Sequence, residues 1–351
     1  LNQTKNYAAV LPKIGVERSE LLSDIKLKTL SECKTLSEFV VQLGDTTCQE
    51  QISKLSTPIT IQKLERAFNE NLLNTYFSLL YSLPKNVKPF IELYLKRFEI
   101  EHIKMLIKAT IAKIPPKEKM SKIYLPVENY FNNHIIIEEA ANASTVTSIV
   151  QAFQKTEYYT SLNAGLQTYN ETGSATQFNI LLDRHYFDKI YCTCEELPKE
   201  EQQHAKFYAS MMVDGFLLLT ILRGKILGYN SSWLKEALPT NYFNITKHAF
   251  DVLLHAPDYA ETLKIIKSTQ YKTYFASAGT PEKVVSNAEK TFKTAVLCHA
   301  KSRALIDVFN IGVALSFITL KEADIHNLNI LALSIDASLK PQEIQSKLLM
   351  Y

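Results

Sequence analysis

Acidic side chains at matched positions are the first candidates for chemistry in this sequence. Glu99, Asp214 and Asp324 each precede apolar residues by four and seven places: Ile103 and Leu106, Leu218 and Ile221, Leu328 and Leu331. That spacing sets each carboxyl at the edge of a helical apolar stripe. Two carboxylates sharing one site could run general acid–base chemistry. These three lie in separate stretches, and no spacing brings two of them together, so cross-helix hydrogen bonding is expected of them. A second set is Glu65-Arg66, Asp183-Arg184 and Glu289-Lys290. Neighbours on a helix point about 100° apart, so each charge must look to another helix or to water. Bracing between helices is the expected role; lining an opening that meets an axle-like partner is the functional alternative.

Other chemistry has less support. His204 near Glu200 and Glu201, or His185 near Asp188, could contribute to a metal site, but no His-x-x-x-His pair occurs. Gly224-Lys225 has the ending of a phosphate-binding loop, yet Leu219 stands where the earlier glycine belongs and Ile226 where Ser or Thr belongs. No Gly-x-Ser-x-Gly elbow is present. The five cysteines, Cys33, Cys48, Cys192, Cys194 and Cys298, are odd in number and scattered. They suit a reducing compartment rather than a disulfide framework, and the lone Cys192-Thr-Cys194 pair does not make a zinc site. The expectation is therefore no catalytic residue, no cofactor and no metal.

The elements that carry these residues are helices. In 351 residues, 46% are apolar and only nine are glycine, and Leu, Ile, Lys, Glu and Ala recur at helical spacing. A net charge of +3 gives no concentrated basic face for nucleic acid. The most apolar stretch, Phe216–Leu222, ends at Arg223 and is too short to span a bilayer. The first residues lack a charged-then-apolar leader pattern, and a start at Leu1 leaves room for a few preceding residues. Any membrane association is expected to run through a partner.

Three internal repeats order the helices. The first repeat opens a short helix at the capping box Thr35-Leu-Ser-Glu38, the second at Ser144, and the third at Asp258-Tyr-Ala-Glu261. Thr46, Thr156 and Thr269 follow, 110 and 113 residues apart, and two places beyond them stand Cys48, Tyr158 and Tyr271. Next come Leu64-Glu65-Arg66-Ala67-Phe68, Leu182-Asp183-Arg184-His185-Tyr186 and Ala288-Glu289-Lys290-Thr291-Phe292. The third element carries Glu99, Asp214 and Asp324, spaced by 115 and 110 residues. Pro115-Pro116 and Gly228–Ser232 break the helices between repeats. The expected fold is all-α, with three pseudo-equivalent helical domains at 1–116, 117–230 and 231–351. Long helices are expected near 60–81, 89–114, 175–193, 200–227 and 281–321, with a closing helix from Pro341 to the C-terminus.

The stretch Lys321-Glu322-Ala-Asp324-Ile-His-Asn327-Leu328-Asn-Ile330, with Leu331, Ala332 and Ile335, resembles the C-terminal signature of one family. That family comprises the C subunit of the archaeal A-type ATP synthase and the d subunit of the eukaryotic V-type ATPase. Phe98-Glu99-Ile-Glu-His102-Ile103-Lys104 is similar to its aromatic-acid-x-x-Asn-Ile-Lys pattern, with His102 in place of Asn and Lys108 in place of a later Arg. The second repeat keeps Arg223 but has Leu217 in place of Asn, and Arg184–Tyr191 resembles the family's Tyr-Phe-Asp stretch.

The resemblance implies a funnel of three helical domains that caps the membrane rotor ring and joins it to the central stalk. Its partners would then be ring and stalk subunits, and its place the cytoplasmic side of the membrane, without a bilayer span of its own. Glu65, Asp183, Glu289, Glu99, Asp214, Asp324 and Asn327 are the repeat-signature residues, structural or partner-facing. The competing reading is a helical-repeat adaptor, but such repeats run about 34–47 residues, far below the period here.

Overall fold

The computed structural model describes residues 7–349, and among these it is 73% helical with no strands. The first repeat supplies α1 (Val10–Ser19), α2 (Asp24–Ser31), α3 (Leu36–Gln42), α4 (Gln49–Ser53), α5 (Ile61–Ser82) and α6 (Lys88–Ile111). The second supplies α7 (Pro116–Ser121), α8 (Leu125–Tyr130), α9 (His134–Asn142), α10 (Val146–Ala152), α11 (Tyr159–Thr172), α12 (Thr176–Glu196) and α13 (Lys199–Ile226). The third has α14 (Ser231–Ala237), α15 (Lys247–His255), α16 (Tyr259–Lys267), a 3-10 turn (Lys272–Phe275), α17 (Pro281–Arg303), α18 (Gly312–Asp336) and α19 (Pro341–Lys347).

The repeats reappear as local geometry. Thr35, Thr145 and Asp258 cap α3, α10 and α16, each side chain accepting the N–H three residues on. The second cap is thus Thr145, not Ser144: it is Thr145 that has the extended backbone and the side-chain oxygen within reach of the helix. Past each of these helices, the hydroxyls of Thr46, Thr156 and Thr269 donate to Leu43, Phe153 and Ile266 carbonyls at 2.7, 2.8 and 2.7 Å. This closes three identical turns. The long helices α6, α13 and α18 end alike, at left-handed Lys113, Gly228 and Ser338. There the N–H groups of Ile114, Tyr229 and Leu339 reach back to Ala109, Gly224 and Ser334 carbonyls. This is the Schellman closure, which needs a positive φ at one residue; only the middle copy meets that need with glycine.

The expected helix over 281–321 is two helices. Residues 304–311 interrupt it, where Arg303 grips Asp307 through Nε and a second guanidinium nitrogen at 2.8 and 2.7 Å. Asn310 Oδ1 then accepts the Gly312 N–H at 2.8 Å and starts α18. This local side-chain-to-backbone bond competes with a continuing helix.

Backbone contacts group the chain into two compact units. Unit 1 comprises 1–88, 198–205 and 293–351; unit 2 comprises 89–197 and 206–292. In unit 1, α18 is buried along most of its length against α5, α1, α2 and α3, so the head and tail of the chain share one core. In unit 2, Leu217, Leu218, Ile221 and Leu222 pack with Leu253, Ile266, Phe275 and Phe292. α13 is long and apolar enough to cross a bilayer by composition, contrary to the shorter stretch read from sequence, but 67% of its apolar window is buried inside the fold.

Close helix approach depends on glycine between α11 and α12. A Cβ on Gly165 of α11 would lie 2.5 Å from the Phe178 ring of α12. Gly165→Ala should therefore destabilise the protein by about 1–3 kcal/mol through overpacking, read as a lower urea midpoint. An unchanged midpoint would contradict this packing.

Candidate functional site

The acids of the three long helices are the most deeply buried charged groups with a matched position in every repeat. Glu99 and Asp214 are fully buried, and Asp324 is 4% exposed. In unit 2, Glu99 accepts from the Tyr158 hydroxyl and from the Asn133 amide. Asp214 accepts the Tyr271 hydroxyl at 2.6 Å and the N–H groups of Phe243 and Asn244 at 2.9 and 2.8 Å. The two tyrosines stand two residues past the turn-forming Thr156 and Thr269, so the repeated turn aims a phenol at the repeated acid. Each acid takes its phenol from the repeat that follows its own. Burial raises both carboxyls above their ordinary range, opposed by Lys96 and the Tyr158 hydroxyl at Glu99 and by the Tyr271 hydroxyl and backbone N–H groups at Asp214.

The third copy, in unit 1, is built differently. Asp324 Oδ2 accepts the Leu22 N–H at 2.8 Å, while Oδ1 has no hydrogen-bond partner. Cys48 holds the phenol register and is buried at 1% exposure, its thiol pushed up to about 11, chiefly by that burial. Burial likewise lifts Asp324 to about 7, against the opposing pull of the Leu22 N–H and Lys321.

The variable position three residues on has a packing role in each copy. His102 Nε2 accepts the Tyr124 N–H at 3.1 Å, so the ring proton sits on Nδ1 and faces Glu128 Oε1 at 2.6 Å. Asn327 exchanges two bonds with the Leu349 backbone, at 2.8 and 3.0 Å. His102 and Asn327 thus hold the chain just beyond the short helices α7 and α19, whereas Leu217 fills the core of unit 2.

The second set diverges. Asp183 accepts from Lys104 Nζ at 2.6 Å, and Glu289 from Arg223 at 2.6 Å, each joining two helices within unit 2. Glu65 is exposed, and its neighbour Arg66 pairs with Glu70 instead. His204 faces Asp307 at 3.2 Å and His185 faces Glu157 at 3.5 Å. Among the described residues, no group of three or more His, Cys, Asp or Glu could hold a metal.

Glu99, Asp214, Asp183 and Glu289 are thus each engaged in bonds that join helices and turns. The family model for the ATP synthase (C/AC39) subunit matches residues 10–347. The chain belongs to that family. Similar curated proteins include the A-type ATP synthase C subunit of Methanocaldococcus jannaschii, 26% identical over 98% of this chain and 86% of the relative. The A-type ATP synthase C subunit of Thermococcus kodakarensis is 24% identical over 97% of this chain and 89% of its own length. That of Methanothermobacter thermautotrophicus is 25% identical over 93% and 82%. Members of this C/AC39 family are accessory subunits of the complex rather than catalytic ones.

Proposed function

We propose that this chain is a non-catalytic central-stalk subunit of an A/V-type rotary ATPase, capping the membrane rotor ring and coupling it to the central axle. The observation that carries the reading is the family match across residues 10–347. The build of the repeats supports it: matching turns, matching helix closures and the buried Glu99 and Asp214, which bond into the repeat that follows, brace the helices within each unit, as a torque-bearing part requires. In this reading the three domains 1–116, 117–230 and 231–351 form a funnel. Its end surfaces meet ring and stalk subunits on the cytoplasmic side of the membrane. Exposed Glu65 is then a candidate for partner contact, whereas Asp183 and Glu289 brace helices within unit 2.

Reconstitution of the complex with and without this chain tests the proposal. The expected result is ATP hydrolysis retained without it, ion transport lost, and transport restored on add-back. Ion transport that proceeds at the full rate without the chain would overturn the reading.

A further inference from the structure

The three acid positions are built from the same turn and the same helix, so the two intact copies calibrate the third. Glu99 and Asp214 each engage a phenol and at least one further donor. Asp324 has the Leu22 N–H alone, and its second oxygen is buried without a hydrogen-bond partner. At the register of Tyr158 and Tyr271 stands Cys48, whose side chain is too short to take the place of a phenol. Lys321, one turn before Asp324, is directed to the Thr47 hydroxyl at 2.7 Å. The donor that remains comes from Glu20–Ser23, the connection between α1 and α2, in which Leu21 and Leu22 are half-buried and Ser23 exposed. On either side of it α1 and α2 are anchored: Ile14, Leu27 and Leu30 are buried, and Gln345 of α19 bonds Ser31 at 2.9 Å.

We propose that the Glu20–Ser23 connection is a strap that lifts from α18 by local opening, uncovering Asp324 while the rest of unit 1 stays folded. A buried acceptor left unmet favours the opened, hydrated state, and one backbone bond is all that the strap must break at Asp324. The intact copies lack this weakness, since opening there breaks a phenol bond as well.

Amide hydrogen exchange on the full chain reads this directly, because the Leu22 N–H and those of Phe243 and Asn244 donate to equivalent carboxylates. The expected protection of Leu22 is lower by about tenfold or more than that of Phe243 and Asn244, with a rate insensitive to low urea. Cys48→Tyr, which restores the phenol, should raise Leu22 protection by about tenfold. Leu22 protected in the unaltered chain to the level of Phe243 and Asn244 would overturn the strap.

Discussion

Asp214→Ala should lower the stability of the protein by about 3–5 kcal/mol, from buried donors left unmet at about 1–3 kcal/mol each, less the relief of removing a buried acid. Asp214 is fully buried and accepts three hydrogen bonds, from the Tyr271 hydroxyl and the Phe243 and Asn244 N–H groups. Alanine leaves all three donors in the core of unit 2 with nothing to replace the carboxylate. The cost of burying the acid, visible in its raised pKa, is relieved by the same change and offsets part of that loss. Tyr271→Phe removes one of the three bonds and should cost about 1–1.5 kcal/mol. Exposed Glu65→Ala should leave the urea midpoint where it is. The pattern separates a structural acid from a partner-facing one: a stable, folded Asp214→Ala protein that fails only in coupling would reverse the assignment.

The repeat pattern makes much of this legible from the residues alone. The caps at Thr35 and Asp258, the threonine turns and the closing acids are short-range features, and their chemistry is carried within a few residues. Cys48 against Tyr158 and Tyr271 is also in plain view as a register difference, although its consequence depends on what lies opposite. The donors are not legible, because they come from different places in each copy. Asn133 lies beyond Glu99 in the next repeat, Phe243 and Asn244 lie in the loop after α14, and Leu22 comes from the opposite end of the chain. Two of the three sites use backbone N–H groups, which no side-chain pattern marks. The break at 304–311 is hidden for a related reason. Its apolar run continues a helical period, and only the Arg303–Asp307 pair and the Asn310 turn, both local hydrogen-bonding choices, end it. His102 with Glu128 shows the same limit: the residue type varies among repeats, and its role of tethering the chain beyond α7 emerges only from packing.

The unmatched Asp324 gives the protein a pH dependence of known sign. Burial lifts its carboxyl from 3.8 in the unfolded chain to about 7 in the fold, the Leu22 N–H and Lys321 only partly opposing this. A carboxyl with a raised folded pKa favours folding when protonated. Its contribution is therefore fully present below 3.8 and is lost as pH rises through about 7. At complete ionisation the loss is on the order of 4 kcal/mol. Asp324→Asn removes the charge but keeps an oxygen to accept the Leu22 N–H, and its new amide group faces the position where Oδ1 was unmatched. An unmet amide costs less than an unmet carboxylate, so the variant and the unaltered protein should exchange rank with pH. At pH 8 the variant should be the more stable by urea midpoint; at pH 5 the unaltered protein should equal or exceed it. The slope of stability between pH 5 and 8 should be smaller in the variant. Parallel profiles for the two proteins would show that Asp324 does not titrate in this range, and that its second oxygen is met in solution by a donor such as water, as Glu99 and Asp214 are met by tyrosine.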